Sequence, residues 1–155
     1  MSQRFLTDPA GAGRGYPVIG NSSEVFVHAN PVYIDADGFL ANLADASVGV
    51  YGYYVGQGET MASDNETVAK VCPDYVYARG VEMVFGADQA CTQTDVGTLC
   101  DFGTYTSGAF ELDLAGAQSN EATMFILGFD PQGDGTTTDV VVIAATIQGS
   151  GYAVV

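Results

Sequence analysis

Two apolar runs near the end of the chain, ATMFILGF (residues 122–129) and DVVVIAATI (residues 139–147), decide the fold. Both have the length of a β-strand and are too short to cross a membrane. The stretch between them, DPQGDGTTTD (residues 130–139), is rich in Asp and Gly, which is typical of a turn. The pattern predicts a hairpin of two buried strands near the middle of the core.

A shorter stretch, FELDL (residues 110–114), shows the clearest alternation in the chain. Successive side chains of a strand point to opposite faces of the sheet. Phe110, Leu112 and Leu114 are therefore expected on the buried face, with Glu111 and Asp113 on the other face. Another short stretch, DADG (residues 35–38), is predicted to form a tight turn between two strands.

The composition supports the same fold class over most of the chain. The 155 residues are enough for one domain, and they include 20 glycines, 47% apolar residues and only 15% charged residues. Strand-like runs recur at the spacing of a sandwich or barrel. We expect an all-β protein, a compact β-sandwich or β-barrel-like domain of about seven to nine short strands.

The first 23 residues have a different character, with two prolines, several glycines and no sustained periodicity. They predict an extended N-terminal arm (residues 1–23) ahead of a single β-rich domain (residues 24–155). The arm holds two of the four basic residues, and its candidate partner-binding residues are Arg4, Phe5, Arg14 and Tyr16. Arginines in such an arm can pair with acidic groups of a partner. A mobile tail is the alternative.

The formal net charge of −15 narrows the classes of partner. A surface this acidic repels the phosphates of nucleic acid and of anionic lipid, so neither nucleic acid nor membrane is an expected partner. The N-terminal sequence lacks the apolar core of a signal peptide, which predicts synthesis in the cytoplasm.

No catalytic motif stands out, and we expect no enzymatic activity and no cofactor. His28 is the only histidine and lies in an alternating stretch, VFVHANP (residues 25–31), without a nucleophile motif nearby. We predict no metal site. If calcium binds anywhere, the candidate ligands are Asp130, Asp134 and Asp139, although their spacing lacks a complete ladder of ligands.

The three cysteines, Cys72, Cys91 and Cys100, leave one main interpretation. Zinc sites usually need four Cys or His ligands, often in close pairs, and this sequence has no such pair. A disulfide between Cys91 and Cys100 would need a tight hairpin and an oxidising compartment. Buried, reduced thiols are the expected state, with Cys100 packed beside Leu99 and Phe102.

The order of segments resembles a known family. The stretch VYIDADGFLANLADASVGVYG (residues 32–52) resembles the opening hairpin of small decoration proteins on tailed-phage capsids, with its D-x-x-G followed by x-x-x-G-V. TDVGTLCDF (residues 94–102), FELDL and the final strand pair resemble later segments of those proteins. The resemblance covers about residues 24–148 and includes no invariant signature.

The resemblance implies a structural virion protein that binds the outer surface of a tailed-phage capsid and stabilises the shell. It implies the major capsid protein as partner, with a homo-oligomer, a trimer by preference, or arm-mediated contacts between neighbouring copies. It places the protein on the capsid exterior. Two other classes stay open: a calcium- or glycan-binding β-sandwich module on a virion or cell surface, and a hydrolase that uses two carboxylates.

Overall fold

The computed structural model describes residues 3–6, 16–43, 50–61, 68–72, 81–102, 110–114, 124–130, 139–144, 146–147 and 152–153. These residues form strands, turns and bends without a helix, so the predicted all-β class is confirmed. The described residues contain fifteen strands, more than the predicted seven to nine, because several strands are only two residues long. They are β1 (Arg4–Phe5), β2 (Tyr16–Ile19), β3 (Val25–Phe26), β4 (Pro31–Ile34), β5 (Leu40–Asn42), β6 (Gly52–Tyr54), β7 (Glu59–Thr60), β8 (Val68–Cys72), β9 (Met83–Ala87), β10 (Leu99–Phe102), β11 (Glu111–Asp113), β12 (Met124–Phe129), β13 (Asp139–Ala144), β14 (Thr146–Ile147) and β15 (Tyr152–Ala153).

Five strands close into a barrel in the order β9-β11-β10-β12-β13, with β13 returning to β9. The closing pair is antiparallel and aligns Val140 with Phe85 and Val142 with Met83. The β9–β11 pair is parallel, whereas the other pairs of the ring are antiparallel. Closure leaves no open edge among these five strands, which protects the barrel from pairing with other chains.

The predicted hairpin and alternation lie in this barrel. Strands β12 and β13 pair antiparallel, and Met124, Ile126, Val140 and Val142 are all fully buried. The prediction that β12 is buried as a whole is wrong, because Leu127 and Phe129 are exposed and only one face of β12 points into the core. Around β11 the three apolar residues of FELDL are at most 5% exposed, whereas Glu111 is exposed. The alternation of that stretch is therefore confirmed.

A second sheet has five strands in the order β2-β8-β6-β4-β5. Its two edges meet at a bridge between Gly20 and Leu40, where the Asn21 amide donates to the Leu40 carbonyl at 2.8 Å. A Cβ at position 20 would lie 2.7 Å from Sδ of Met61. This seam therefore needs a glycine, because both edges pack directly on a buried side chain.

The tight turn predicted for residues 35–38 is present between β4 and β5. The side chain of Asp35 accepts hydrogen bonds from the amides of Asp37 at 3.0 Å and Phe39 at 2.9 Å. Gly38 has a φ of +89°, a backbone conformation that glycine adopts without strain. The hairpin register then pairs Ile34 with Leu40.

The barrel and the second sheet share one hydrophobic core. Leu43, Val50 and Tyr53 of the second sheet and its flanks belong to the same buried cluster as Met83, Phe85 and Leu112 of the barrel. A smaller cluster lies within the second sheet and is built around Phe26, Leu40, Tyr54 and Met61.

The described part of the predicted arm is built into these sheets. Strand β1 pairs antiparallel with β9, aligning Arg4 with Val84, and β2 pairs with β8 over its whole length. Strand β1 thus belongs to the barrel sheet and β2 to the second sheet. Strands β1 and β2 form because their backbones pair with strands that are distant in the sequence, and the local sequence does not specify these pairings.

Candidate functional site: the docked N-terminal segment

Residues 3–6, here called the docked segment, make polar contacts with residues up to 126 positions away in the sequence. Arg4 forms an ion pair with Asp130, in which its Nη2 donates to both carboxylate oxygens at 2.6 Å. The Asp130 side chain is only 4% exposed, whereas the Arg4 side chain is 28% exposed. The sequence predicts that Arg4 binds a partner protein. In the structure Arg4 pairs with Asp130 of its own chain.

Phe5 packs against the rings of two residues that are distant in the sequence. Its ring meets the His28 ring edge to face at a centroid distance of 5.2 Å and the Tyr53 ring at 6.0 Å. Phe5 is half-buried and packs against the main core. Edge-to-face pairs of this kind add about 0.5–1.5 kcal/mol beyond the area that they bury. Phe5 therefore anchors the segment to the body of the protein.

Gln3 connects the docked segment to both sheets. Its Oε1 accepts a hydrogen bond from the Phe110 amide at 3.2 Å, next to strand β11. Its Nε2 donates to the His28 carbonyl at 3.0 Å and to Oδ1 of Asn30. One amide side chain thus uses its donor and its acceptor to join the barrel to the loop that precedes β4.

A buried chain of amides continues from this point. Asn30 is fully buried and donates from Nδ2 to Oδ1 of Asn42 at 2.6 Å. Asn42 is 5% exposed and donates from Nδ2 to the Glu24 carboxylate and to the Val25 carbonyl. Because buried polar groups are costly when unsatisfied, this chain fixes the relative positions of the strands that carry it.

Sequence reasoning missed this network. Gln3, Asn30, Asn42 and Glu24 lie up to 39 positions apart in the sequence and form no spaced motif. Asn30 precedes a proline and Asn42 follows an apolar stretch, so each is typical of a turn by local rules. Only the sheet topology brings them together.

The other two predicted arm residues are Arg14 and Tyr16. Arg14 lies outside the described residues. Tyr16 begins β2, where it pairs with Val71 across the sheet. Of the four candidate partner-binding residues, the structure brings Arg4 and Phe5 together.

The candidate calcium ligands are not assembled into a site in the described chain. Asp130 gives both carboxylate oxygens to Arg4, Asp134 lies outside the described residues, and Asp139 begins β13 opposite Gly86. No group of three or more His, Cys, Asp or Glu residues suited to a metal ion occurs among the described residues.

Cys91 and Cys100 are free and buried, as predicted. Burial raises the pKa of the Cys100 thiol far above its usual value, and the nearby Asp101 carboxylate raises it further. Burial also raises the pKa of Cys91, with a contribution from Asp95. Both thiols therefore stay protonated and unreactive near neutral pH. Cys72 lies in β8.

His28 is exposed, and its Nδ1 lies 3.0 Å from the Gly56 carbonyl oxygen. The contacts of the ring are with the docked segment and with a loop carbonyl, which are structural contacts.

Two large apolar side chains are exposed on the barrel. Leu127 is 38% exposed and Phe129 is 40% exposed, and both lie on β12. The pairing of β12 with β13 is irregular between Ile126 and Gly128, where Leu127 is the extra residue. Bulges of this kind re-aim side chains, often toward a partner or ligand. We call Leu127 and Phe129 the β12 apolar pair.

Among the described residues there is no helix with the length and apolar character that a bilayer crossing requires. Comparisons with protein-family models, with curated proteins and with solved structures find no match to this chain.

Proposed function

We propose that this chain is a structural, non-enzymatic protein that binds the outer surface of a tailed-phage capsid and stabilises the shell. The observation that carries the proposal is the β12 apolar pair. Leu127 and Phe129 are 38% and 40% exposed on the closed barrel, and neighbouring exposed apolar side chains are typical of a contact surface. The segment order described above, which resembles capsid decoration proteins, supports the same function.

The fold offers a rigid platform for such a contact. The barrel strands are closed by backbone pairing, and the docked segment is held by an ion pair, ring contacts and an amide network. A rigid surface loses little conformational entropy on binding, which favours attachment to a fixed lattice of capsid subunits.

The net charge of this chain limits the kinds of surface that it can bind. A chain with a net charge of −15 binds an oppositely charged or apolar surface, since like charges across an interface are costly. We therefore propose a capsid surface with an apolar pocket and a basic rim as the partner of the β12 apolar pair.

The test is co-sedimentation with expanded capsids assembled from the major capsid protein of the same genome. The wild-type chain is expected to sediment with the capsids and to raise the temperature at which they dissociate. The double variant L127S/F129S is expected to lose binding while remaining folded by circular dichroism. V25S is the matched control, because Val25 is 39% exposed but lies on β3. Equal binding by all three chains contradicts the proposal.

The calcium-binding alternative has less support, because Asp130 already satisfies its carboxylate with Arg4. A melting temperature that stays the same when calcium or a chelator is added is the outcome that we expect.

A further inference from the structure

The ring of barrel strands is closed, but its strands differ in length, and β12 extends past β10 at one rim. The last contacts on that side are made by Ile126, whose N–H donates to the Thr98 carbonyl at 3.0 Å and whose carbonyl accepts from the Gly97 amide at 2.9 Å. On its other side, β12 stays paired with β13 as far as Phe129. We call residues 127–129 the open rim, because no described strand pairs with their β10 side.

The direction of the Phe129 backbone follows from the register. Ile126 lies opposite Val142 and Phe129 lies opposite Val140, two positions along β13, which continues without an inserted residue. In an antiparallel pair, alternate positions direct their N–H and C=O groups to the same side. The groups of Phe129 therefore point away from β13, as those of Ile126 do. No described strand lies there to receive them, and such an unpaired edge is a template for another strand.

The open rim combines this backbone with apolar side chains and free space. Leu127 is 38% exposed and Phe129 is 40% exposed. A Cβ added at Gly128, or at Gly97 on the adjoining turn, would meet no atom within 4 Å. Glycines without such neighbours leave room for another backbone to approach closely. The rim thus offers hydrogen-bonding groups, apolar contacts and space at one place.

We propose that the open rim accepts an extended segment of another protein, which adds to the barrel as a further strand. In strand addition the main-chain hydrogen bonds give affinity and the side-chain contacts give specificity. The added strand bonds to the backbone of Phe129 and packs apolar side chains on the β12 apolar pair. That the segment belongs to a capsid protein rests on the proposed function, whereas the mode of binding does not.

The charge of the chain defines the chemistry of this segment. With a net charge of −15, the chain favours a segment in which lysine or arginine alternates with apolar residues, because like charges across an interface are costly. A second copy of the chain does not fit this description. The sequence has only four basic residues, and one of them, Arg4, is already paired with Asp130.

The test measures fluorescence anisotropy of a labelled peptide, KVKVTVK, added to the full-length protein. The salt concentration is about 0.15 M, which screens non-specific attraction between the basic peptide and the acidic chain. The wild type is expected to bind the peptide. The same peptide with N-methylated valines keeps its charge but lacks those N–H donors, and it is expected not to bind.

A backbone variant separates strand addition from simple apolar contact. Phenyllactic acid in place of Phe129 keeps the ring but replaces the backbone N–H with an oxygen. We expect this variant to bind the peptide about fivefold more weakly, because one hydrogen bond is lost, and to keep its melting temperature. The matched control is the hydroxy-acid analogue at Ile126, whose N–H bonds to Thr98. This control is expected to melt at a lower temperature and to bind the peptide like the wild type.

Three results overturn the proposal: no binding of the peptide by the wild type, equal binding of the peptide and its N-methylated form, or equal binding by the wild type and the phenyllactic acid variant. Co-sedimentation with capsids tests the proposed function separately. If the wild type binds the peptide as expected but does not sediment with capsids, strand addition stands and the capsid is the wrong partner. If the wild type and the phenyllactic acid variant sediment equally, the capsid contact does not use strand addition.

Discussion

Arg4 donates two hydrogen bonds of 2.6 Å to the nearly buried carboxylate of Asp130, and so joins the first strand to the end of β12. The ion pair ties together parts of the chain that local sequence rules place in an arm and in a loop. The pair engages both oxygens of the Asp130 carboxylate with Nη2 of Arg4.

The first prediction concerns the stability that this ion pair contributes. R4A removes the ion pair of the Asp130 carboxylate, and hydrogen bonds to charged groups contribute about 1.5–3 kcal/mol. Because Arg4 is 28% exposed, we expect the free energy of unfolding to fall by about 1–2 kcal/mol, below the full range. Urea denaturation measures the change.

A double-mutant cycle with D130A tests whether the loss comes from the pair. If the pair acts as a unit, R4A/D130A is about as stable as the less stable single variant. D37A, which removes a charge from the exposed turn, serves as the control and is expected to change stability little. Fully additive effects of R4A and D130A would refute the coupling.

The second prediction concerns the seam of the second sheet. In G20A the added methyl group would lie 2.7 Å from Sδ and 2.9 Å from Cγ of Met61, which is buried. Overpacking of this kind costs about 1–3 kcal/mol. Thermal unfolding should therefore show a lower melting temperature for G20A.

Gly128 provides the matched control for the seam. A Cβ at this position meets nothing within 4 Å, so G128A is expected to unfold close to the wild-type temperature. Equal melting temperatures for G20A and G128A would mean that the seam tolerates a side chain.

The third prediction concerns the buried amides. N42A removes the acceptor of Asn30 Nδ2 and the donor to Glu24, and leaving buried polar groups unsatisfied costs about 1–3 kcal/mol. We expect a lower urea midpoint with an unchanged slope, because the native fold persists. Q93A, on an exposed turn, is the control. A urea midpoint equal to that of Q93A would show that water replaces the Asn42 amide without a loss of stability.

The fourth prediction concerns alkaline pH. Tyr54 is buried and stacks on Phe26 at 5.5 Å, and burial raises its pKa to about 12, with Glu59 adding to the increase. The unfolded chain ionises this tyrosine near pH 10, whereas the folded chain keeps it protonated. Its stabilising effect is complete below pH 10 and is lost as the pH rises toward 12.

The variant Y54F isolates this effect, because phenylalanine cannot ionise. Between pH 10 and 12 the wild type should lose more stability than Y54F, as measured by the urea midpoint at each pH. Parallel curves for the two proteins over that range would show that Tyr54 does not control the alkaline transition.

The barrel hairpin and the FELDL alternation could be predicted from the sequence, because both depend on side-chain periodicity over neighbouring residues. Phe110, Leu112 and Leu114 are buried as their spacing predicts. The turn at Asp35 was predictable for the same local reason, since its side chain bonds to amides within four positions.

The docked segment was not predictable in this way. Residues 4 and 5 form a strand only because β9 offers an edge to them, and Gln3 finds its partners 27 and 107 positions along the chain. The parallel pairing of β11 with β9 is also set by the closure of the barrel. Such contacts follow from topology, which short-range patterns do not specify.

We propose that this chain coats a tailed-phage capsid, and electron cryomicroscopy of decorated capsids tests this proposal. Expanded capsids of the same genome should be imaged with and without the purified chain. We predict added density on the outer surface at symmetry-related positions, with the β12 apolar pair facing the shell. Identical maps with and without saturating protein would contradict the account.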